Sequence, residues 1–208
     1  MYQSHFKFKQ PPFRTITGFS GDFLVPYHQD VFNLLKEKSQ VAGIIGLFCN
    51  DAPLLGHFSD ALKASLPGAI AINAFPKLSA SSLLYKLNPG TKESKSRIQA
   101  VDAVLHQWQG GKNRSKTLVI RHAEAMKETC REVLGMLLTR AQELEFRLSI
   151  VLMGSADQEA ALLHPSELRE YAHTRHTLRP LTCREFLSYV QAQCEEHGCE
   201  NSPLTPAR

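Results

Sequence analysis

The chain has 208 residues, 43% of them apolar and 21% charged, a composition that suits one globular domain with a real core and excludes a fibrous or low-complexity protein. Its net charge of +4 permits an anionic partner without requiring one, and no apolar run approaches the roughly 20 residues of a membrane helix. The opening MYQSHFKFKQPPFR lacks the apolar stretch of a secretory signal, and five cysteines, an odd number, predict reduced thiols in the cytoplasm.

In chain order, VFNLLKEK (31–38) has helical spacing, and VAGIIGLF (41–48) is a continuous apolar run, expected of a strand covered on both faces. HFSDALKASL (57–66) predicts a helix stopped by Pro67 and Gly68, followed by a buried strand in AIAINAF (69–75). SRIQAVDAVLHQWQ (96–109) is an amphipathic helix closed by Gly110 and Gly111. TLVIR (117–121) is the third strand and leads into a long helix over 123–145, whose stripe of Val133, Leu134, Leu137, Leu138 and Leu144 marks its buried face. RLSIVLM (147–153) is the fourth strand, HTLRPL (176–181) holds a fifth, and a last helix covers 184–196. This alternation predicts an α/β three-layer fold around a five-stranded parallel sheet with TLVIR at its centre. Residues 1–22 read as an extended segment and 201–208 as a disordered tail.

In such a sheet ligands sit at the carboxyl ends of the strands. A phosphate-binding loop, GxxxxGKS or GxxxxGKT, needs glycines so that backbone N–H groups can curl around phosphates, a lysine for the terminal phosphates and a hydroxyl for the metal. With Gly56 at the second glycine, Asp51 stands at the first, His57 at the lysine and Phe58 at the hydroxyl position. Asp51 places an anion where an anion should bind, and Pro53 removes one N–H.

Three stretches carry a family resemblance: the opening VPYHQDVFNLL (25–35), the fourth strand with its turn, LSIVLMGSADQEAAL (148–162), and ELREYAHTRHTLRPLTCREFLSYVQAQ (167–193). Together they resemble the bacterial AAA+ ATPases of the general secretion pathway protein A type, over roughly residues 23–196. The resemblance implies a P-loop NTPase-like core over 23–182, with 183–200 as the remnant of a helical lid. It also implies that Arg121 stands at the Mg²⁺-linked aspartate of the Walker B motif and His122 at its catalytic glutamate. An arginine cannot bind Mg²⁺. A neutral histidine could take a proton, but without metal and phosphate cradle it has nothing to activate. Loop glycine, loop lysine and acidic pair are absent together, which predicts a pseudo-ATPase with no catalytic residue and no cofactor.

Arg169, Arg175 and Arg179 lie near positions from which such ATPases reach a neighbour's nucleotide; here they are candidates for interface salt bridges. Arg121, if buried, needs a counter-charge, with Asp51 the first candidate and Glu124 the second. Cys183, Cys194, His197 and Cys199 lack the paired spacing of a structural zinc site, and no metal is expected. Ser155 and Asp157 belong to no nucleophile elbow. The loop 110–116, with Lys112, Arg114 and Lys116, and the cations Lys92, Lys95 and Arg97 could touch phosphate, but nucleic-acid binding needs charges along one face with aromatics to stack. Trp108 sits on an apolar helical face and reads as core.

Three functions follow from these readings. The first is a non-hydrolysing module docked on a protein partner, such as a secretion, pilus or cell-envelope assembly, as a homo- or hetero-oligomer. The second is a nucleic-acid-associated accessory protein resembling transposition ATPases. The third is an enzyme with substituted motifs, either a weak nucleotide-binding ATPase or one using His57 or His122 in a remodelled pocket.

Overall fold

The computed structural model describes residues 25–94, 96–111, 114–162 and 166–196. The expected segments 1–22 and 201–208, and with them His197 and Cys199, lie outside the described residues, as do Lys95 and Lys112. Helix α1 (Pro26–Lys38) opens on a proline, which suits the first helical position, and ends with Lys36 and Lys38 against the negative end of its dipole. Strand β1 (Gly43–Phe48) is buried at all six positions, as its continuous apolar run requires. Then come α2 (Ala52–Ser65), β2 (Ile70–Asn73), α3 (Ala80–Leu87), a 3-10 turn over Pro89–Glu93 and α4 (Arg97–Gln109). Strand β3 (Ser115–Arg121), a 3-10 turn over Ala123–Ala125, α5 (Glu128–Glu143) and β4 (Arg147–Gly154) follow. The chain ends in short helices α6 (Glu159–Leu162) and α7 (Ser166–Glu170), strand β5 (Ala172–Thr177) and α8 (Cys183–Glu196).

The five strands form one sheet in the order β2-β3-β4-β1-β5, every neighbouring pair parallel. The expected three-layer α/β fold is present, with one correction: β4, not TLVIR, is the central strand. Burial explains the order. All of β4 from Leu148 onward is buried, whereas β3 begins with half-buried Ser115, Lys116 and Thr117 and buries only Leu118, Val119 and Ile120. Strand β5 alternates half-buried and exposed residues, the pattern of an edge strand. It lies four residues before the expected 176–181 segment, because Pro180 cannot donate to a ladder.

One face of the sheet packs Ile44, Phe48, Ile120, Ile150 and Leu152 against Val101, Val104 and Leu105 of α4 and Val133, Leu134 and Leu137 of α5. Trp108 joins this core and stacks on Phe146 with centroids 6.3 Å apart. The helix expected over 123–145 is broken: His122 adopts a left-handed backbone, and Met126 and Lys127 are extended before α5 begins. Helix α3 was not legible in the sequence; Ser79 caps it by accepting from the Ser82 N–H, and Leu83, Leu84 and Leu87 bury its inner face.

The chain divides into two compact units, one holding residues 34–178 and the whole sheet, the other joining the stretch up to Asn33 with the residues from Arg179 on. In the smaller unit, Thr182 and Glu185 form a capping box at the start of α8: the Thr182 N–H donates to Glu185 (2.8 Å) and the Glu185 N–H to Thr182 Oγ1 (3.3 Å). Arg179 donates twice to the same carboxylate (2.8 and 2.7 Å) and lies 4.0 Å from the Tyr27 ring centroid. Arg179 and Thr182 together hold the Glu185 carboxyl well below the usual carboxylate range. Among the described residues, no helix is long and apolar enough to cross a membrane.

Candidate functional site

The carboxyl ends of β1, β4 and β3 lie side by side, because β4 runs between the other two. Asn50, two residues after β1, joins two of these ends: its Oδ1 accepts from Ser155 Oγ (2.9 Å) and from the Ala156 N–H (3.0 Å), both just past β4. The Cys49 N–H donates to Gly154 O at 3.0 Å, closing the same seam. Sequence reasoning passed over Asn50; its signal was an amide two residues past a fully buried strand.

The positions aligned with a phosphate loop lie mostly inside a helix. Only Cys49, Asn50 and Asp51 separate β1 from α2. Asp51 is the N-cap, its Oδ1 accepting from the Leu54 N–H at 3.0 Å, and Pro53 fits the first turn, where the missing N–H costs nothing. The helix therefore starts five residues before the expected His57. Gly56 and His57 sit in its second turn, and Phe58 is fully buried. Burial of His57 pushes its pKa down, with Asp60 opposing.

Arg121 ends β3 half-buried, and its Nη1 would come within 3.2 Å of a Cβ added at Gly56. The guanidinium thus lies against the second turn of α2, at the one residue whose missing side chain leaves room. Its Nε is buried without a hydrogen-bond partner, and among the described residues no carboxylate is within 4.0 Å of it. The expected pairing of Arg121 with Asp51 or Glu124 is therefore corrected. Asp51 spends its carboxylate on the open N–H of α2. Glu124 is turned away by the left-handed backbone of His122 (φ 52°) and the 3-10 turn after it. Its Oε2 would lie 2.6 Å from a Cβ added at Gly154, and its Oε1 is 3.5 Å from His122 Nδ1. A cation and an acid leave the end of β3 in different directions, one to α2 and one across β4.

The remaining candidates are dispersed. Arg169 on α7 and Arg175 on β5 are exposed, while Arg179 is engaged by Glu185. Lys116 reaches over Trp108 at 6.0 Å from the ring centroid, and Arg114 is exposed. Ser155 serves Asn50 and Asp157 is exposed, so neither joins a nucleophile. Cys130 donates to Leu78 O at 3.3 Å, and no group of His, Cys, Asp or Glu suited to a metal occurs among the described residues.

Burial lowers the pKa values of His57, His173 and His176 from 6.5, so charging these rings opposes folding. A lowered pKa in the folded state means that the unfolded chain takes up protons first as the solution is acidified. Stability is then complete above about pH 6.5 and declines below it. Urea midpoints measured between about pH 7.5 and 5 are expected to fall on acidification, with a shallower fall in His57→Gln; equal slopes in the two proteins would contradict this origin.

No known family profile and no curated protein matches the chain. Among solved structures it is similar to the Aeropyrum pernix ORC1 protein in complex with DNA, with TM-score 0.60, 11% identity, and coverage of 85% of this chain and 52% of that one. It is also similar to the Aeropyrum pernix ORC2 protein in its ADPNP–ADP complexes, with TM-score 0.57, 12% identity, and coverage of 81% and 51%. A third is Drosophila ORC bound to DNA, with TM-score 0.53, 12% identity, and coverage of 78% and 96%. The chain spans about half the length of the Aeropyrum proteins. Strand order and these likenesses agree on the architecture: the chain has the P-loop NTPase-like core fold of AAA+ proteins.

Proposed function

We propose that the chain is a non-hydrolysing AAA+-like module of the general secretion pathway protein A type that docks on a protein partner, within a secretion, pilus or cell-envelope assembly. The observation that carries this reading is the connection after β1. A three-residue link running straight into a helix capped by Asp51 leaves no loop to wrap a triphosphate, and it sets a carboxylate at the helix start, where phosphate would need positive potential. Arg121 against Gly56 adds to it, since the strand end that would hold Mg²⁺ carries a cation. What such a core retains is surface.

The test is calorimetric titration of the purified chain with Mg²⁺-ATP and Mg²⁺-ADP, beside capture of partners from a native extract with and without added ATP. No heat of binding is expected, and a protein retained in near-stoichiometric amount whether or not ATP is present. Micromolar nucleotide affinity, or a partner held only with ATP, would overturn the reading. The alternative, a nucleic-acid-associated accessory protein, draws on the DNA present in two of the similar structures.

A further inference from the structure

Helix α3, the 3-10 turn after it and the start of α4 enclose an open groove of about 810 Å³ whose lining, among the described residues, carries hydroxyls, cations and an aromatic ring, with the Glu132 carboxylate reaching only Arg97. On α3 the outward residues fall in two i,i+4 rows, Ser81 with Tyr85 and Ser82 with Lys86, all exposed. Lys92 comes from the 3-10 turn and Arg97 from the first turn of α4, which holds no acidic residue to offset the positive end of the helix dipole.

The cations are available. Lys92 makes no hydrogen bond or ion pair among the described residues. Lys86 lies over the Phe75 ring, 5.3 Å from its centroid, and makes no ion pair among the described residues. Arg97 gives Nη1 to Glu132 at 3.0 Å and makes no other ion pair among the described residues. Two aromatic rings stand in water beside these charges, Tyr85 at 49% and Phe75 at 43% exposure.

We propose that this groove binds single-stranded nucleic acid, with phosphates on Lys86, Lys92, Arg97 and the serine hydroxyls and a base stacked on Tyr85. The inference rests on the nucleic-acid reading and gives it a site. Cations and hydroxyls alone would equally suit an acidic polypeptide, but such a ligand leaves the tyrosine ring without a role, whereas unpaired bases use all three kinds of wall. A duplex keeps its bases stacked inside, out of reach of a ring on a helix surface. Separate cations at 86, 92 and 97 meet on one face only because α3 folds between β2 and α4.

The test is fluorescence anisotropy of labelled oligo-dT and oligo-U with the purified full chain at about 50 mM salt, since phosphate contacts weaken steeply as salt rises. Lys86→Glu combined with Lys92→Glu is expected to weaken binding more than tenfold, and Tyr85→Ala by about tenfold, with Tyr85→Phe close to wild type. All of these side chains are exposed, and urea midpoints of the variants are to be compared with wild type to check that they fold. The two oligomers separate DNA from RNA as the source. Binding that ignores the charge reversals would overturn the groove and leave the nucleic-acid reading standing, while no binding at low salt would overturn both. Displacement by polyglutamate with Tyr85→Ala silent would assign the groove to an acidic polypeptide and end the proposal, as would duplex DNA bound as tightly as oligo-dT.

Discussion

Gly46→Ala is expected to destabilise the protein by about 1–3 kcal/mol, what one extra methyl costs in a packed core. Gly46 lies in β1 between β4 and β5, paired with Leu152 on one side and Arg175 on the other, so its backbone cannot step aside without breaking two ladders. A Cβ there would stand 2.5 Å from Cε2 and 2.8 Å from Cζ of Phe48, whose ring folds back over the glycine. Phe48 is fully buried and belongs to the main core cluster, so the ring has no free volume to enter. Urea denaturation should show a lower midpoint with an unchanged slope, the mark of altered stability without altered unfolding surface. Combining Gly46→Ala with Phe48→Leu should recover part of the loss, because the smaller side chain removes the clash. A midpoint equal to wild type would mean that the Phe48 ring has another place to go.

Mg²⁺-ATP is expected to remain uncleaved by the wild-type chain and equally by a variant carrying Arg121→Asp and His122→Glu. Phosphoryl transfer depends on positioning and charge stabilisation supplied jointly by the phosphate cradle, the metal and the residue that orients water. The double substitution restores only the acidic pair. It leaves the Asp51 carboxylate at the head of α2, leaves Phe58 buried where a metal-binding hydroxyl would stand, and supplies no lysine. His122 also holds a left-handed backbone that glutamate adopts less readily, so the new acid would not inherit a working orientation. Phosphate release followed under single-turnover conditions checks the result. Turnover above background in either protein, lost again on His57→Ala or His122→Ala, would show that the substituted motifs form a site of their own.

Much of the architecture was readable because its signals are local. Apolar runs in 41–48, 69–75 and 147–153, each separated by helical spacing, carry the parallel α/β fold; β1 and β4 are covered on both faces as such runs require, whereas β2, expected buried, lies at the sheet edge with Ile72 its one buried residue. The mismatch of Asp51, His57 and Phe58 with the letters of a phosphate-binding loop was equally visible, because residue type is read directly from the chain. Their conformation was not visible. Read as a loop residue, Asp51 is an anion in an anion's place; read as an N-cap, it starts a helix, and only the Leu54 N–H 3.0 Å away decides between the two.

Residue types and spacing by themselves determined the alternation of strands and helices, the places of the first four strands and the parallel pairing, because periodicity and side-chain chemistry act within a few residues. Tertiary structure decided that β4 and not TLVIR occupies the centre, that Arg121 rests on Gly56 instead of pairing with an acid, that Glu124 turns over Gly154, and that the cations near α3 share a face with Tyr85. Each of these joins residues from separate elements, some far apart in the chain. Packing of whole elements against one another fixes such neighbours, and the local sequence around either partner does not encode them.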